Sequence, residues 1–592
     1  MKEKVIRKGA GFLLEDVPAE EVFTPEDFGE EHEMIVKTAA RFIKNEVVPN
    51  AETLEKKDFD LTRKLIGQAG ELGLLGVDVD EEYGGSHLDS IASLLICEHS
   101  AMAGSFGLSM NDHTGIGSMP LVFFGSKEQK KKYLPSMVTG EKIGAYALTE
   151  PGAGTDALSI QATAVLTKDG KHYKLDGTKQ YVTNGSFADI IFTYAKVEGK
   201  MTAFILEKGF PGVSTGAEEK KMGLHGSSTC SIFLDGALVP VENMLFQVGR
   251  GHVVAFNVLN LGRFKLAAGC VGVCKLAMEA AVGYSKERVQ FGKPICQFGL
   301  MKHKIGEMAA KTYMIESMVY RTGGLIDNIL STIDRSAEDA GQQNANSIGE
   351  YAIECSINKV FCSEVLDYVA DETIQMFGGY GYCEDYPAER IYRDTRIFRI
   401  FEGTNEINRV ITTGFLMRKA LKGELPLFTV AQEVKNELPS MEPLSPQPND
   451  GVLAYQQRQI GRAKKVFQYL CGTAAQKYGM GIENEEEVLG LLADIAGEIY
   501  AVDSGFLRSL KSVGSAGEEK AALKINMVKL YANDAMMKIR DCAQELVATM
   551  AGDALDSELA AVTRALTFSP VDAIMLRRQV ADEVIEVGKY TC

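Results

Sequence analysis

In the stretch RIFRIFEGTNEINR, residues 396–409, one carboxylate, Glu402, stands directly behind an apolar Ile-Phe pair and in front of a glycine. A glutamate held against apolar side chains resists ionisation, because burial disfavours its charged form and raises its pKa. A carboxylate tuned in this way can accept a proton near neutral pH. The same residues also fit a plainer arrangement. That is a strand edge running into a helix N-terminus, with Thr404 or Asn405 as cap and Glu406 in the first turn.

Four glycine-containing stretches offer further chemistry. In YALTEPGAGTD, residues 146–156, a strand-like start runs into Pro and two glycines, exposing amides and hydroxyls where the chain turns. Such a loop can approach a flat or phosphorylated ligand closely, or be an ordinary β-turn. KQYVTNG, residues 179–185, reads either as a hairpin turn at Asn184-Gly185 or as a strand presenting Tyr181 and Thr183 on one face. A ring that stacks beside a hydroxyl that hydrogen-bonds suits an aromatic cofactor. RVQFGKP, residues 288–294, closes a helix, where Arg288 can answer the terminal carbonyls. QMFGGYGY, residues 375–382, reads as a glycine-capped helix end. There is no Walker sequence, no Gly-x-Gly-x-x-Gly after a parallel strand, and no βαβ alternation in the β-rich part of the chain.

The elements that must position these residues fall into five segments. Residues 1–143 carry helical spacing, as in EMIVKTAARFIKNEVV. Residues 144–250 are rich in Thr, Val, Tyr, Phe and Gly in short alternating runs, an all-β insert. Helical periodicity returns over 251–422. Residues 423–450 hold five prolines between Pro426 and Pro448 and read as an extended surface linker without a long helix. Residues 451–592 are helical again, without a Gly-rich loop or polar constellation, and read as scaffold or interface.

At 592 residues the chain is too long for one core and should divide into roughly three to five domains. Its 45% hydrophobic and 24% charged residues are those of an ordinary globular protein. No apolar run reads as long enough to cross a bilayer, and the basic N-terminus meets acidic residues before any signal-like core, so a cytoplasmic location is expected. The eleven cysteines are scattered without a Cys-x-x-Cys pair and the eight histidines lack ligand spacing, so no metal site is expected. A net charge of −17 disfavours general nucleic-acid binding.

The order of the motifs is more specific than any one of them. YALTEPGAGTD, then a KxYVTNG strand, then ERVQFGKPI, QMFGGYGY and RDTRIFRIFEGTNEI resembles the acyl-CoA dehydrogenase family of flavoproteins over about residues 25–420. The helical segment beyond the linker resembles the extended, very-long-chain type. The resemblance implies a mainly α protein with a central β domain (α+β). Its parts would be a helical N-terminal domain, a β-barrel-like middle domain, a four-helix-bundle-like domain and an extra helical domain.

It further implies FAD as cofactor. Tyr146, Leu148 and Thr149 would line the flavin, with Thr155 near ring or substrate, and Tyr181 and Thr183 would flank the reactive face. Many relatives carry Trp where Tyr181 stands; this chain has none. Arg288, Phe291, Gln375, Gly378 and Gly379 would meet the adenine-diphosphate half, partly across a subunit boundary, with Thr404 and Glu406 at the same end. Where Gly299 stands a glutamine is common. Glu402 would be the base that takes the α-proton of an acyl-CoA thioester while the β-hydrogen leaves as hydride. Its own N–H and the neighbouring Gly403 would face the thioester. Asn260, Arg263 and Arg409 would position ester or base. Some relatives place the base where Gly262 stands, so a Gly there beside Glu402 forms one complete arrangement. Gly115 and Gly117 would leave room for a long acyl tail. The implied partners are acyl-CoA, an electron-transfer flavoprotein and a second copy of the chain, as a dimer or dimer of dimers, with peripheral membrane contact left open. An oxygen-using oxidase and a non-catalytic scaffold of the same fold are the competing readings.

Overall fold

The computed structural model describes residues 5–592. In the N-terminal helical layer, Ser90–Ala101 is buried without interruption from Ile91 to Glu98. A helix apolar on nearly every side belongs inside a protein, not at its surface. It is followed by Ser105–Thr114, which carries buried Asp112 and His113.

The middle of the chain forms eight strands: β1 (Gly144–Ala147), β2 (Thr163–Leu166), β3 (His172–Thr183), β4 (Ile190–Val197), β5 (Lys200–Glu207), β6 (Val213–Thr215), β7 (Thr229–Pro240) and β8 (Met244–Leu245). They pair in the order β6-β7-β3-β2-β4-β5-β8, with β1 beside β4. The Asn184-Gly185 pair is not a hairpin turn, because β3 and β4 are separated by β2. Asn184 is instead buried and donates from Nδ2 to the Ser109 carbonyl at 2.9 Å, tying the sheet to the helical layer. The two-residue hairpin falls at Glu198-Gly199, between β4 and β5, where φ values of 49° and 78° match the turn that the strand twist favours. Strict alternation also fails near Tyr181. A bulge separates Lys179 from Val182, and Tyr181 sits in it at φ 57°, which aims its ring outward, 61% exposed, while Thr183 is half-buried.

Four helices then pack together: Gly251–Glu287, Gly299–Leu330, Ala352–Phe377 and Asn405–Leu421. Gly251–Glu287 is long and apolar enough to cross a membrane by length and composition, which the reading of the sequence overlooks. With 72% of its apolar window buried inside the protein, its apolar length serves the bundle.

The proline-rich stretch also differs from expectation. Leu427–Glu437 is a helix, with Pro426 at its N-cap and Pro439 just beyond it, so those prolines bound the helix without interrupting it. Its Leu427, Ala431 and Val434 are buried, and it packs on Ala454–Tyr478. Beyond it, Glu486–Ala516, Ala522–Met550 and Ala573–Val587 dock against Gly299–Leu330. The dock contains buried charge: Arg508 meets Glu316 at 2.6 Å and Glu26 at 2.9 Å, and Arg321 meets Asp503 at 2.9 Å. These partners come from three distant parts of the chain, so no cluster is visible in residues 451–592 alone.

Candidate active site

Glu402 lies between a short 3-10 turn, Arg396–Arg399, and the Asn405–Leu421 helix, which Thr404 caps by accepting from the Ile407 N–H. The capped helix start and the enclosed carboxylate are both present, but the expected strand edge is not: a 3-10 turn precedes Glu402 in its place. Glu402 has φ 59° and Gly403 φ 80°. A left-handed glutamate costs of order 1–2 kcal/mol and persists only where its surroundings fix it. The surroundings do so through the carbonyls. Arg263 Nε donates to the Glu402 carbonyl at 3.2 Å, and Asn408 Nδ2 reaches the carbonyls of Glu402, Gly403 and Thr404. Lys359 Nζ donates to the Gly403 carbonyl at 2.7 Å. Asn260 in turn accepts from Arg263 Nη1 at 3.1 Å and sets that guanidinium. Among the described residues, the N–H groups of Glu402 and Gly403 have no hydrogen-bond partner.

The carboxylate itself is enclosed. Glu402 Oε2 is buried without a hydrogen bond, as are the Tyr146 hydroxyl and Asn184 Oδ1. Burial pushes Glu402 up to about 7, against the opposing pull of Arg263 and Lys359. Asp112 is buried nearby, and burial above all, with the Glu402 charge adding to it, drives its carboxyl well above the usual carboxylate range. Gly262 faces the Glu402 carboxylate directly: a Cβ there would stand 2.6 Å from Glu402 Oε2. Position 262 can therefore stay bare or carry a side chain in place of the carboxylate at 402, and not both.

The residues expected around a flavin divide into two groups. Tyr146 and Leu148 are buried at the end of β1, and Thr149 accepts from the Gln180 N–H at 2.8 Å, which joins this loop to the strand bearing Tyr181 and Thr183. Lys179, fully buried, clamps the same loop through Glu150 at 2.6 Å and the Leu148 carbonyl. Thr155 is exposed further along that loop. The second group gathers at the far end of the bundle. Arg288 lies 5.4 Å over the Tyr380 ring, beside exposed Gln375, Gly378 and Gly379. Phe291 is 94% exposed at φ 52°. Thr404 and Glu406, expected with this second group, stay instead beside Glu402 at the start of Asn405–Leu421, where Glu406 is an exposed first-turn residue.

A flat tricyclic group fits the first arrangement. The Tyr146 hydroxyl, buried without a geometric hydrogen bond, lies near enough to Glu402 for their charges to interact, and the strand joined to its loop turns the Tyr181 ring outward. Arg409 does not join them. Its guanidinium is engaged by Glu364 at 2.8 Å and Asp494 at 2.8 Å, facing the appended helices, because Arg409 sits just over one turn along its helix from the Thr404 cap, on the same side as Asn405. Gly115 and Gly117 do not open free space either: a Cβ at either would stand 2.7 Å from a backbone carbonyl, of Asn111 or Asp112. Lys359, Asn408 and Asp112 are the contributors that motif reading misses. A lone lysine inside the apolar run YAIECSINKVF is the signal that was available for the first.

Comparison with known proteins gives matches along the chain. Residues 29–141 match the acyl-CoA dehydrogenase N-terminal domain, 145–237 the middle domain and 249–416 the C-terminal domain; 462–564 match a second family described as an acyl-CoA dehydrogenase C-terminal domain. A probable acyl-CoA dehydrogenase of Bacillus subtilis is 50% identical over 588 residues, covering 99% of each chain. The human very long-chain specific acyl-CoA dehydrogenase is 34% identical over 501 residues, 80% of this chain and 73% of the relative. A crystal structure of an acyl-CoA dehydrogenase from Bacillus anthracis complexed with FAD superposes with a TM-score of 0.97 at 48% identity, covering 99% of this chain and all of the other.

Proposed function

The chain belongs to the acyl-CoA dehydrogenase family of oxidoreductases, and we propose that it desaturates long-chain fatty acyl-CoA at the α,β-bond with Glu402 as the base. The observation that carries the assignment of the base is the Glu402 carboxylate, enclosed, pushed up to about 7, and facing a position 262 that is bare of any side chain. A base with a pKa near the working pH combines a substantial ionised fraction with real proton affinity.

The family's cofactor is FAD, which would be held by Tyr146, Leu148, Thr149, Tyr181 and Thr183 on one side and by Arg288, Phe291, Gln375, Gly378 and Gly379 at the far end. Bound FAD supplies the acceptor for the β-hydride. The chain's own residues do the rest. Glu402 takes the α-proton at its carboxylate. The unpartnered N–H of Glu402 is available to the thioester oxygen, where negative charge grows as that proton leaves. Arg263, set by Asn260, holds the carbonyl of the base and so its strained backbone.

The long-chain preference draws support from the very long-chain relative, which shares most of this chain including part of the appended segment, and not from Gly115 or Gly117. Lys265, a turn along the helix from Leu261, is tied to Asp78 at 2.7 Å and to the Thr114 carbonyl at 3.0 Å, where it borders a cavity of about 760 Å³. Transfer of electrons to an electron-transfer flavoprotein, a place in β-oxidation, and a homodimer completing the far end of the cofactor site belong to the same reading. An anaerobic absorbance titration of the FAD-loaded protein with acyl-CoA of 4 to about 20 carbons tests it. Bleaching of the flavin that is strongest with long chains supports the assignment; bleaching by short chains alone overturns the length preference. Rapid reoxidation by oxygen, without need of a protein acceptor, favours the oxidase reading.

A further inference from the structure

The polar side chains behind the catalytic loop form one connected series that ends in the appended helices. Lys359 on Ala352–Phe377 is fully buried, and besides the Gly403 carbonyl its Nζ donates to Asn405 Oδ1 at 2.8 Å. Asn405 Nδ2 donates to Glu364 Oε1 at 3.2 Å, Glu364 pairs with Arg409, and Arg409 Nε donates to Asp494 at 2.8 Å. Asp494 lies on Glu486–Ala516, beyond the proline-rich stretch. Glu364, Arg409 and Asp494 line a cavity of about 150 Å³ between the catalytic helices and the appended ones.

We propose that Lys359 is a positioning residue for Glu402, and that Glu364, Arg409 and Asp494 carry its hold into the appended segment, which thereby fixes the catalytic loop. The proposal rests on the reading of Glu402 as the base. Two consecutive residues in the left-handed region need several anchors, and Lys359 supplies one that is also a charge. Neither of its hydrogen-bond acceptors is charged, and burial lowers Lys359 to about 8 against the opposing pull of nearby carboxylates, Glu402 more than Glu406. From the other elements, Arg263 also faces Lys359, as does the Cys270 thiol; Arg263, the Asp112 carboxyl and the Tyr146 hydroxyl face Glu402. The cation thus fixes the backbone at Gly403 while favouring the ionised base. The ion pairs beyond it fix the helix that begins at Asn405.

The test is the pH dependence of kcat and KM, measured on FAD-loaded wild type, Lys359→Met, Lys359→Arg, Asp494→Asn and Glu402→Gln. Loss of a nearby positive charge raises a carboxyl pKa, so Lys359→Met moves the acid limb of kcat up by about one pH unit, and Lys359→Arg returns it. Asp494→Asn lowers kcat at the plateau by about three- to tenfold with KM unchanged, the signature of a misplaced catalytic group. A folded Lys359→Met whose acid limb stays at the wild-type pH overturns the role of the lysine. Wild-type kcat in Asp494→Asn overturns its extension into the appended segment. If Lys359→Met yields no folded protein, Lys359→Gln and Arg409→Gln replace it under the same criteria, the first for the limb and the second for kcat. Glu402→Gln separates the two failures: full turnover there means the base itself is misassigned, whereas an inactive Glu402→Gln beside an unmoved Lys359→Met limb condemns only the positioning role.

Discussion

Replacing Glu402 by Gln should make the protein more stable at alkaline pH while abolishing its activity. The amide keeps the shape and backbone of the loop and removes the ability to ionise. Burial lifts the carboxyl from an ordinary 4.5 to about 7. A group whose pKa is raised in the folded state contributes its full stability below the unfolded value and loses it as pH climbs through the folded one. For Glu402 that window runs from 4.5 to about 7. Above it the wild type holds an ionised carboxylate in an enclosed site, and a shift of this size corresponds to about 3 kcal/mol. Glu402→Gln should therefore exceed wild type by up to about 3 kcal/mol at pH 8, and by less than about 1 kcal/mol at pH 5. Urea unfolding of both FAD-loaded proteins at the two pH values, followed by circular dichroism, reads the difference directly. Other titrating groups are common to both proteins and cancel. A Glu402→Gln variant no more stable than wild type at pH 8, or equally stabilised at both pH values, would refute the argument that enclosure sets this carboxyl's pKa.

Gly262→Ala should fold and lose at least about tenfold in kcat, because the added methyl stands where Glu402 Oε2 now lies and displaces it; steady-state kinetics beside a thermal melt separates this from misfolding. Lys179→Met should leave Glu150 buried without its cation and cost about 3–5 kcal/mol, read from denaturant unfolding, with loss of flavin retention since the clamped loop is the one carrying Leu148 and Thr149. Phe291→Ala should leave the far-ultraviolet spectrum unchanged, since that ring is 94% exposed in the single chain, yet speed FAD loss on dilution, measured by fluorescence recovery.

What the sequence makes legible here is local. The enclosed Glu402 follows from its immediate neighbours, and the helical and β segments follow from their periods. Tyr181 shows where locality ends: the bulge that turns it outward depends on how β3 registers with β7, which no single strand encodes. Asn184-Gly185 carries the signature of a hairpin, but the order of the sheet overrides it and uses the asparagine to tie sheet to helix. The family resemblance implies a positioning role for Arg409, whereas the helix that starts at Asn405 turns its guanidinium onto Glu364 and Asp494 of distant segments. The docking charges of the appended segment are invisible in it, because Arg508 finds Glu316 and Glu26 across 192 and 482 residues of chain.

The most direct test of the central claim isolates proton abstraction from the redox step. An acyl-CoA analogue with sulfur in place of the β-carbon can lose its α-proton but has no β-hydride to give. Incubated in D2O with the FAD-loaded protein, it should exchange its α-hydrogens for deuterium, followed by proton NMR, at a rate that rises with pH through about 7. Glu402→Gln, retaining its flavin, should show no exchange above the uncatalysed background. Exchange by that variant at the wild-type rate would contradict the account, since some other group would then be taking the proton.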